Sequence, residues 1–416
     1  MVRKLLGPII PLAALVAGVL LAVAVPDTTA WGKEGIKLFV AAFNVIAPYL
    51  ILFLLAATVA DHFGDKSRRR VLPLVFVSFV ISTVLAAVYA VVLIAGFFGL
   101  PILGAASTDA AAAEGPSIME HLAEGLRAQT VIAVVYGLFV GFTLAILGAR
   151  TGVVGYVATQ TRLTFARWGA FMLRILASVL KVGLPLLLFA AGLALIGAVG
   201  AAGDAAYWYG VSFALTVVLL GSFLGLYTAL VYFAAGKDGV RRFGRFTLKS
   251  GTPAWAASSS MAALPLALES ARDDLEVPED VGDAVLGIGA VVNLDGSMIG
   301  AFALVVTAAV ATGHVPTFAE IALLAIPLGI VLHGIPGVPG GFVAVVPPIA
   351  IAGLGIPPEA AATYTAFFVS MAAGPNDQLR SAANVISNGA LAILVHRIVR
   401  ATRPEAGKPA PEIRAP

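Results

Sequence analysis

The chain has no cysteine among its 416 residues. That excludes disulfides and thiolate-bound metal centres, and it leaves the redox compartment undetermined. Charge is scarce as well: 12% of residues are Asp, Glu, Lys or Arg, while 60% are hydrophobic. A soluble domain carries about 25% charged residues to cover its surface. With a mean hydropathy of +0.98, the composition excludes a water-soluble globule. No Gly-x-Ser-x-Gly frame occurs anywhere. An intramembrane serine hydrolase built on Ser258–Ser260 and His333 therefore lacks the usual means of holding a nucleophile against its base, and no enzyme activity is expected. With a formal net charge of only +3, no nucleic-acid partner is expected either.

Long apolar runs are what the chain does contain. Leu5–Val25, Ile36–Ala60, Val71–Phe98, Thr130–Leu147, a run from near Phe165 to Val199, and Tyr207–Ala235 can each span a bilayer, which takes about 20 apolar residues. Arg3-Lys4 before the first run could open a signal peptide. The run is long for one, however, and Ala30-Trp31 is a poor cleavage context, so it reads as a retained span. In the fifth run Arg167, Arg174 and Lys181 recur on one helix face and are expected to snorkel to the interface. Basic residues gather in alternate loops: Arg3-Lys4, Lys66 with Arg68–Arg70, Arg150 with Arg162, Lys237–Lys249 and Arg397–Arg414. The remaining loops hold Lys33 and Arg127 among acidic residues such as Asp109, Glu114 and Glu124. The positive-inside rule then places both termini in the cytoplasm of a cell (plasma or inner) membrane. The Pro/Ala-rich tail, 403–416, is expected to be disordered.

After residue 250 the apolar runs are broken. Gly251–Leu268 is interrupted by SSSMAALP (258–265), Ala284–Thr312 by NLDGS (293–297), and Phe318–Gly353 by GIPGVPGG (334–341). Non-helical backbone at membrane depth must be buried in protein or line a cavity. Interrupted segments at corresponding positions of two halves point to a secondary transporter's binding site. The last apolar segment, flanked by Ala360–Met371 and Ala390–Val399, carries a polar stripe. Its Asp377, Arg380, Ser381, Asn384 and Asn388 share one face of a helix. An ion pair joining two helices would explain the Asp and the Arg but not the amides below them. A stripe of donors and acceptors reads as a solute path. Arg380 offers a planar fork for a carboxylate, and Asp377 a counter-charge for an ammonium. A ligand with both groups would satisfy two buried charges that must otherwise pair with each other. Asp295 beside Gly296, with Asn293 and exposed carbonyls, offers the oxygens that a dehydrated hard cation needs.

SSSMAALP, NLDGS, GVPGG and D-x-x-R-S-x-x-N, in that order, are similar to the motifs of the dicarboxylate/amino acid:cation symporters, the glutamate-transporter-like family. The resemblance covers nearly the whole chain, including Pro48 and the pair Ser82-Thr83. It implies an all-α polytopic membrane protein with eight transmembrane helices and two re-entrant helical hairpins, an inverted-repeat elevator-type transporter. It further implies a lipid-embedded homotrimer. The scaffold would be 1–70 (spans 1 and 2) and 101–200 (spans 4 and 5). The transport domain would be 71–100 (span 3), 201–250 (span 6) and 251–402 (hairpin 1, span 7, hairpin 2, span 8). The implied activity is symport of an acidic amino acid, aspartate or glutamate, with Na+ and/or H+ and no organic cofactor. C4-dicarboxylates or another amino acid are the alternative cargo. An anion channel selecting through Arg380 is the alternative of another class, and it would show flux independent of any cation gradient.

By the same resemblance, Asp377 takes the substrate's α-ammonium and Arg380 its side-chain carboxylate. Asn384 takes the α-carboxylate, helped by Ser259 and the backbone of Ser258–Ser260. Ser297 and Ser381 stand where the family usually has Thr, and Gly337, Val338, Pro339 and Gly340 form an extracellular lid. One cation site would use Asn293 and Asp295 with Ser82 and Thr83. A second would use carbonyls at Gly289, Asn293 and Asn384, and a third those of Leu294 and the second hairpin. The chain departs from the pattern at Asn388, where an Asp usually chelates a cation, and at Phe79, often Tyr. These departures bear on cation number and identity.

Overall fold

Helix is the only regular secondary structure among the described residues of this computed structural model, which are 2–64, 71–100, 118–199, 202–333, 341–372 and 374–402. The first half holds α1 (Val2–Ala24), α2 (Thr28–Gly64), α3 (Leu72–Phe98), α4 (Ile118–Arg127), α5 (Gln129–Gly148), α6 (Val153–Val199) and α7 (Ala202–Phe246). A π-helical turn, Thr247–Gly251, leads into α8 (Thr252–Ala257) and α9 (Ser260–Asp273). Next come α10 (Glu279–Gly282), a second π-turn (Asp283–Gly287), α11 (Ile288–Val292) and α12 (Asp295–Ala311). The chain closes with α13 (Phe318–Leu332), α14 (Gly341–Gly353), α15 (Pro358–Ala372) and α16 (Pro375–Thr402).

Among the described residues, five stretches are long and apolar enough to cross a membrane: Leu72–Phe98, Gln129–Gly148, Asp204–Ala257, Glu279–Ala311 and Pro375–Thr402. The outer face of α3 is apolar too, with Val77, Ile81, Val84, Leu85 and Val88 exposed. Such a face suits hydrocarbon and not water. This is a multi-pass membrane protein.

Two packed groups emerge. In one, α2 lies against α5 and α6, and α1 against α6. Lipid gives helices no hydrophobic reason to associate, so small residues let backbones approach. A Cβ on Gly192 of α6 would stand 2.9 Å from the Val19 nitrogen of α1. In the other group α12 is central, buried from Asp295 through Ala309 and packed by α3, α7, α15 and α16.

Two expectations need correcting. The helix that carries the fifth run begins at Val153, well before Phe165, and Arg162, expected in a loop, lies inside α6, where it pairs with Asp61 of α2. Arg167, Arg174 and Lys181 do stay exposed along that helix. The basic run Lys237–Lys249, expected as a loop, is helical. Only Gly236 (φ 66°, ψ −166°) breaks the backbone there, and the Arg397 Nε of α16 donates to the freed carbonyl of Ala234 at 2.5 Å. The basic run forms the first arm of a helical hairpin. Arg242 pairs with Glu276 at 2.6 Å, and Arg245 and Lys249 with Asp274 at 3.4 and 2.8 Å, tying the base. Burial of Asp274 works to raise its pKa. Hydrogen bonds from Lys249 and Ser270 and the charges of Lys249 and Arg245 outweigh that and hold the carboxyl below its ordinary value.

Candidate functional site

Three breaks in the helices converge on α16. The first is the hairpin tip, shorter than the stretch read from sequence: only Ser258 and Ser259 leave the helix, and Pro265 sits within α9. Ser258 is left-handed (φ 47°), a conformation that glycine adopts freely and other residues uncommonly. Its N–H and that of Ser259 close α8 on the carbonyls of Trp255 and Ala254. The Ser259 hydroxyl caps α9, accepting from Ala262 N–H at 3.2 Å, and Ser260 donates to the Ser381 carbonyl at 3.5 Å. The second break is Asn293-Leu294, extended between α11 and α12. The third separates α15 from α16 at Gly374 (φ 66°), where the sequence had read one continuous apolar segment.

α16 carries the polar stripe as its spacing foretold. Arg380 is 2% exposed, and its Nη2 donates to Asp377 Oδ1 at 2.7 Å. Its Nε donates to the Asn376 carbonyl at 3.3 Å, and its guanidinium lies 3.6 Å from the ring centroid of Phe342 on α14. The charge thus has an anion beside it and an aromatic face beneath, the two partners that make a buried cation tolerable. Asn384 grips the first turn of α12, accepting from Ser297 N–H at 3.0 Å and donating to Ser297 Oγ at 3.0 Å. Asn388 accepts from the Asn293 amide at 2.8 Å and donates to the Asn293 carbonyl at 3.4 Å.

Asp295 is 1% exposed. Its Oδ2 accepts from Ser82 Oγ of α3 at 2.5 Å, Tyr227 OH of α7 at 2.8 Å and Asn293 Nδ2 at 3.4 Å. The other oxygen, Oδ1, is buried without a partner, and so is the Asn293 Oδ1. Buried acceptors left over in this way are what a cation would satisfy. Among the described residues no cluster of three His, Cys, Asp or Glu occurs. The acceptors here are all oxygens, which suit a hard cation rather than a soft one.

A family model of the sodium:dicarboxylate symporters matches residues 9–398. The chain belongs to that family. Members are transporters, and the family implies co-transported sodium. The residues carried over from the symporter motifs are largely brought together. Asp377, Arg380, Ser381, Asn384, Ser297 and Ser258–Ser260 gather around α16, and Ser82, Asn293, Asp295 and Asn388 lie next to one another. Thr83 is set apart: it lines an apolar cavity of about 560 Å³ with Phe79, Val134 and His333. The carbonyls of Gly289, Asn293, Leu294 and Asn384 already accept from Asn293 N–H, Asn388 Nδ2, Met298 N–H and Ser387 Oγ. Those of Gly289, Asn293 and Leu294 keep a second lone pair, whereas the Asn384 carbonyl lies inside α16 and also accepts the N–H one turn on. Gly337, Val338, Pro339 and Gly340 lie outside the described residues. His333, weighed as a catalytic base, bonds the Gly329 carbonyl one turn back.

Two residues of this candidate site escaped the sequence reading. Tyr227 sits in an unbroken apolar stretch of α7, and Phe342 follows the glycine-rich stretch 334–341. Neither has a local signal, because their partners are 68 and 38 residues away.

Proposed function

We propose that the protein imports an acidic amino acid, aspartate or glutamate, together with Na+, H+ or both. The observation that carries this reading is the pair Asp377–Arg380, two opposite charges one helical turn apart at the convergence of the breaks. An α-amino dicarboxylate supplies an ammonium for Asp377 and a carboxylate for Arg380, so each buried charge exchanges one partner for another. A plain C4-dicarboxylate would meet the repulsion of Asp377. The transport cycle is elevator-type: the group around α12, with the two hairpins re-entrant and eight spans in all, slides past the α1, α2, α5 and α6 group in a cell-membrane homotrimer with both termini cytoplasmic. The division of the helices into two packed groups supports that assignment.

Uptake by the purified protein in liposomes tests the substrate. Radiolabelled aspartate should enter much faster than succinate. Arg380→Ala should abolish acidic uptake while admitting neutral amino acids. Succinate outrunning aspartate in the wild type would overturn the amino-acid reading.

A further inference from the structure

Ser82 Oγ, Tyr227 OH and Asp295 Oδ2 form a closed triangle with sides of 2.5, 2.6 and 2.8 Å. Each hydroxyl can donate one hydrogen, and Oδ2 accepts from both. Adjacent oxygens that share an octahedral cation at about 2.4 Å stand roughly 3.4 Å apart. The triangle is thus too tight to be a coordination shell. It is a hydrogen-bonded arrangement that a cation on Oδ2 would have to open. The corners come from three elements, α3, α7 and the first turn of α12, so opening it changes how all three meet.

We propose that Tyr227 is a positioning residue that stands in for the cation at Asp295. Its hydroxyl, together with that of Ser82, holds the carboxylate through the cation-free part of the cycle and releases it when sodium enters. This rests on the reading of Asp295 as a sodium ligand. Two consequences follow from the geometry. Removing the hydroxyl removes a competitor for Oδ2, so sodium should bind more tightly. It also withdraws support from the buried carboxylate once sodium has left, so the carrier's return without cargo should slow. Exchange of internal for external substrate skips that return and should be spared.

The experiment compares the wild type with Tyr227→Phe, Tyr227→Leu and Asp295→Asn, purified in detergent and in proteoliposomes. Sodium binding is read as the shift of the thermal unfolding midpoint on titrating NaCl against choline chloride. Net uptake and exchange of radiolabelled aspartate are measured separately. The expected result is a half-saturating sodium concentration at least fivefold lower in both Tyr227 variants. Net uptake should fall several-fold while exchange stays within twofold of wild type. An unchanged or higher half-saturating concentration in both variants, or equal losses in uptake and exchange, overturns the role of Tyr227. Wild-type sodium dependence in Asp295→Asn would instead overturn Asp295 as the sodium ligand, independently of the Tyr227 results.

Discussion

Arg380 is held so closely that one methyl group should move it. Its aliphatic stem crosses Gly300 of α12, and a Cβ there would collide with the Arg380 Cδ. The stem can yield only by shifting the guanidinium, because Phe342 and Asp377 bound it on other sides. Overpacking a tight core costs about 1–3 kcal/mol, and here the cost falls on a group that would bind substrate. We expect Gly300→Ala to raise the KM for aspartate at least tenfold. Gly225→Ala on α7, where a Cβ meets nothing within 4 Å, should leave it unchanged. Equal KM values for the two variants would show that Arg380 does not touch the substrate. At this scale legibility follows distance along the chain. Asp377, Arg380 and Asn384 announce themselves by helical spacing on one segment, whereas Tyr227 and Phe342 acquire meaning only when distant helices bring them in. Thr83 marks the limit from the other side. The symporter resemblance gave it a role beside Ser82, but neighbouring residues on a helix point about 100° apart, and Thr83 lines the apolar cavity.

The helical hairpin around Ser258-Ser259 depends on its base as much as on its tip. Asp274 is buried and accepts from Ser270 at 2.7 Å and Lys249 at 2.8 Å, tying α9 to the first arm. Burial of Asp274 gives these hydrogen bonds weight, although solvent screens the pair with Lys249, which is more than half exposed. Asp274→Asn should therefore lower the thermal midpoint. The difference from wild type should depend on pH in a defined sense. The folded carboxyl titrates below its ordinary value of 3.8, so its contribution is complete above that pH. It is lost as pH falls through the lower folded value. The gap between the two melting curves should thus be constant from about pH 8 to pH 5 and close in more acidic buffer. A gap that instead opens on acidification would mean that Asp274 is held neutral. Breaks written in polar residues, SSS and NLDG, were legible because such residues are anomalous inside apolar runs. Breaks made by single glycines were not. Gly236 was hidden by the basic run after it, which looks like a loop until its acidic partners on the second arm are known. Gly374 was absorbed into the apolar segment, although Pro375 behind it suits the first turn of a new helix.

For the whole molecule the open quantity is the charge moved per cycle. An acidic amino acid carries one net negative charge, so a negative-inside potential opposes its entry by about 2.3 kcal/mol per 100 mV. One monovalent cation cancels that cost and leaves its own gradient as the drive, roughly 1.4 kcal/mol per tenfold difference. Each further cation harnesses the potential as well. In this chain the Asp295 carboxylate remains, but the position where the family usually has a second carboxylate is Asn388. Its amide is engaged in both directions with Asn293, bridging α16 to the break before α12. A cation entering there must separate two neutral amides and gains no counter-charge. We therefore expect fewer tightly bound sodium ions than three, with protons free to take a coupling role. We expect Asn388→Asp to steepen the sodium dependence by restoring the charge. The measurement is aspartate uptake into proteoliposomes with the sodium gradient, the pH gradient and the potential imposed one at a time. Wild type should give a Hill coefficient for sodium below three, and the variant a higher one with stronger acceleration by a negative-inside potential. A wild-type coefficient near three with no response to pH would mean that backbone carbonyls replace the missing carboxylate in full. The Asn293–Asn388 bridge would then be a structural tie and nothing more.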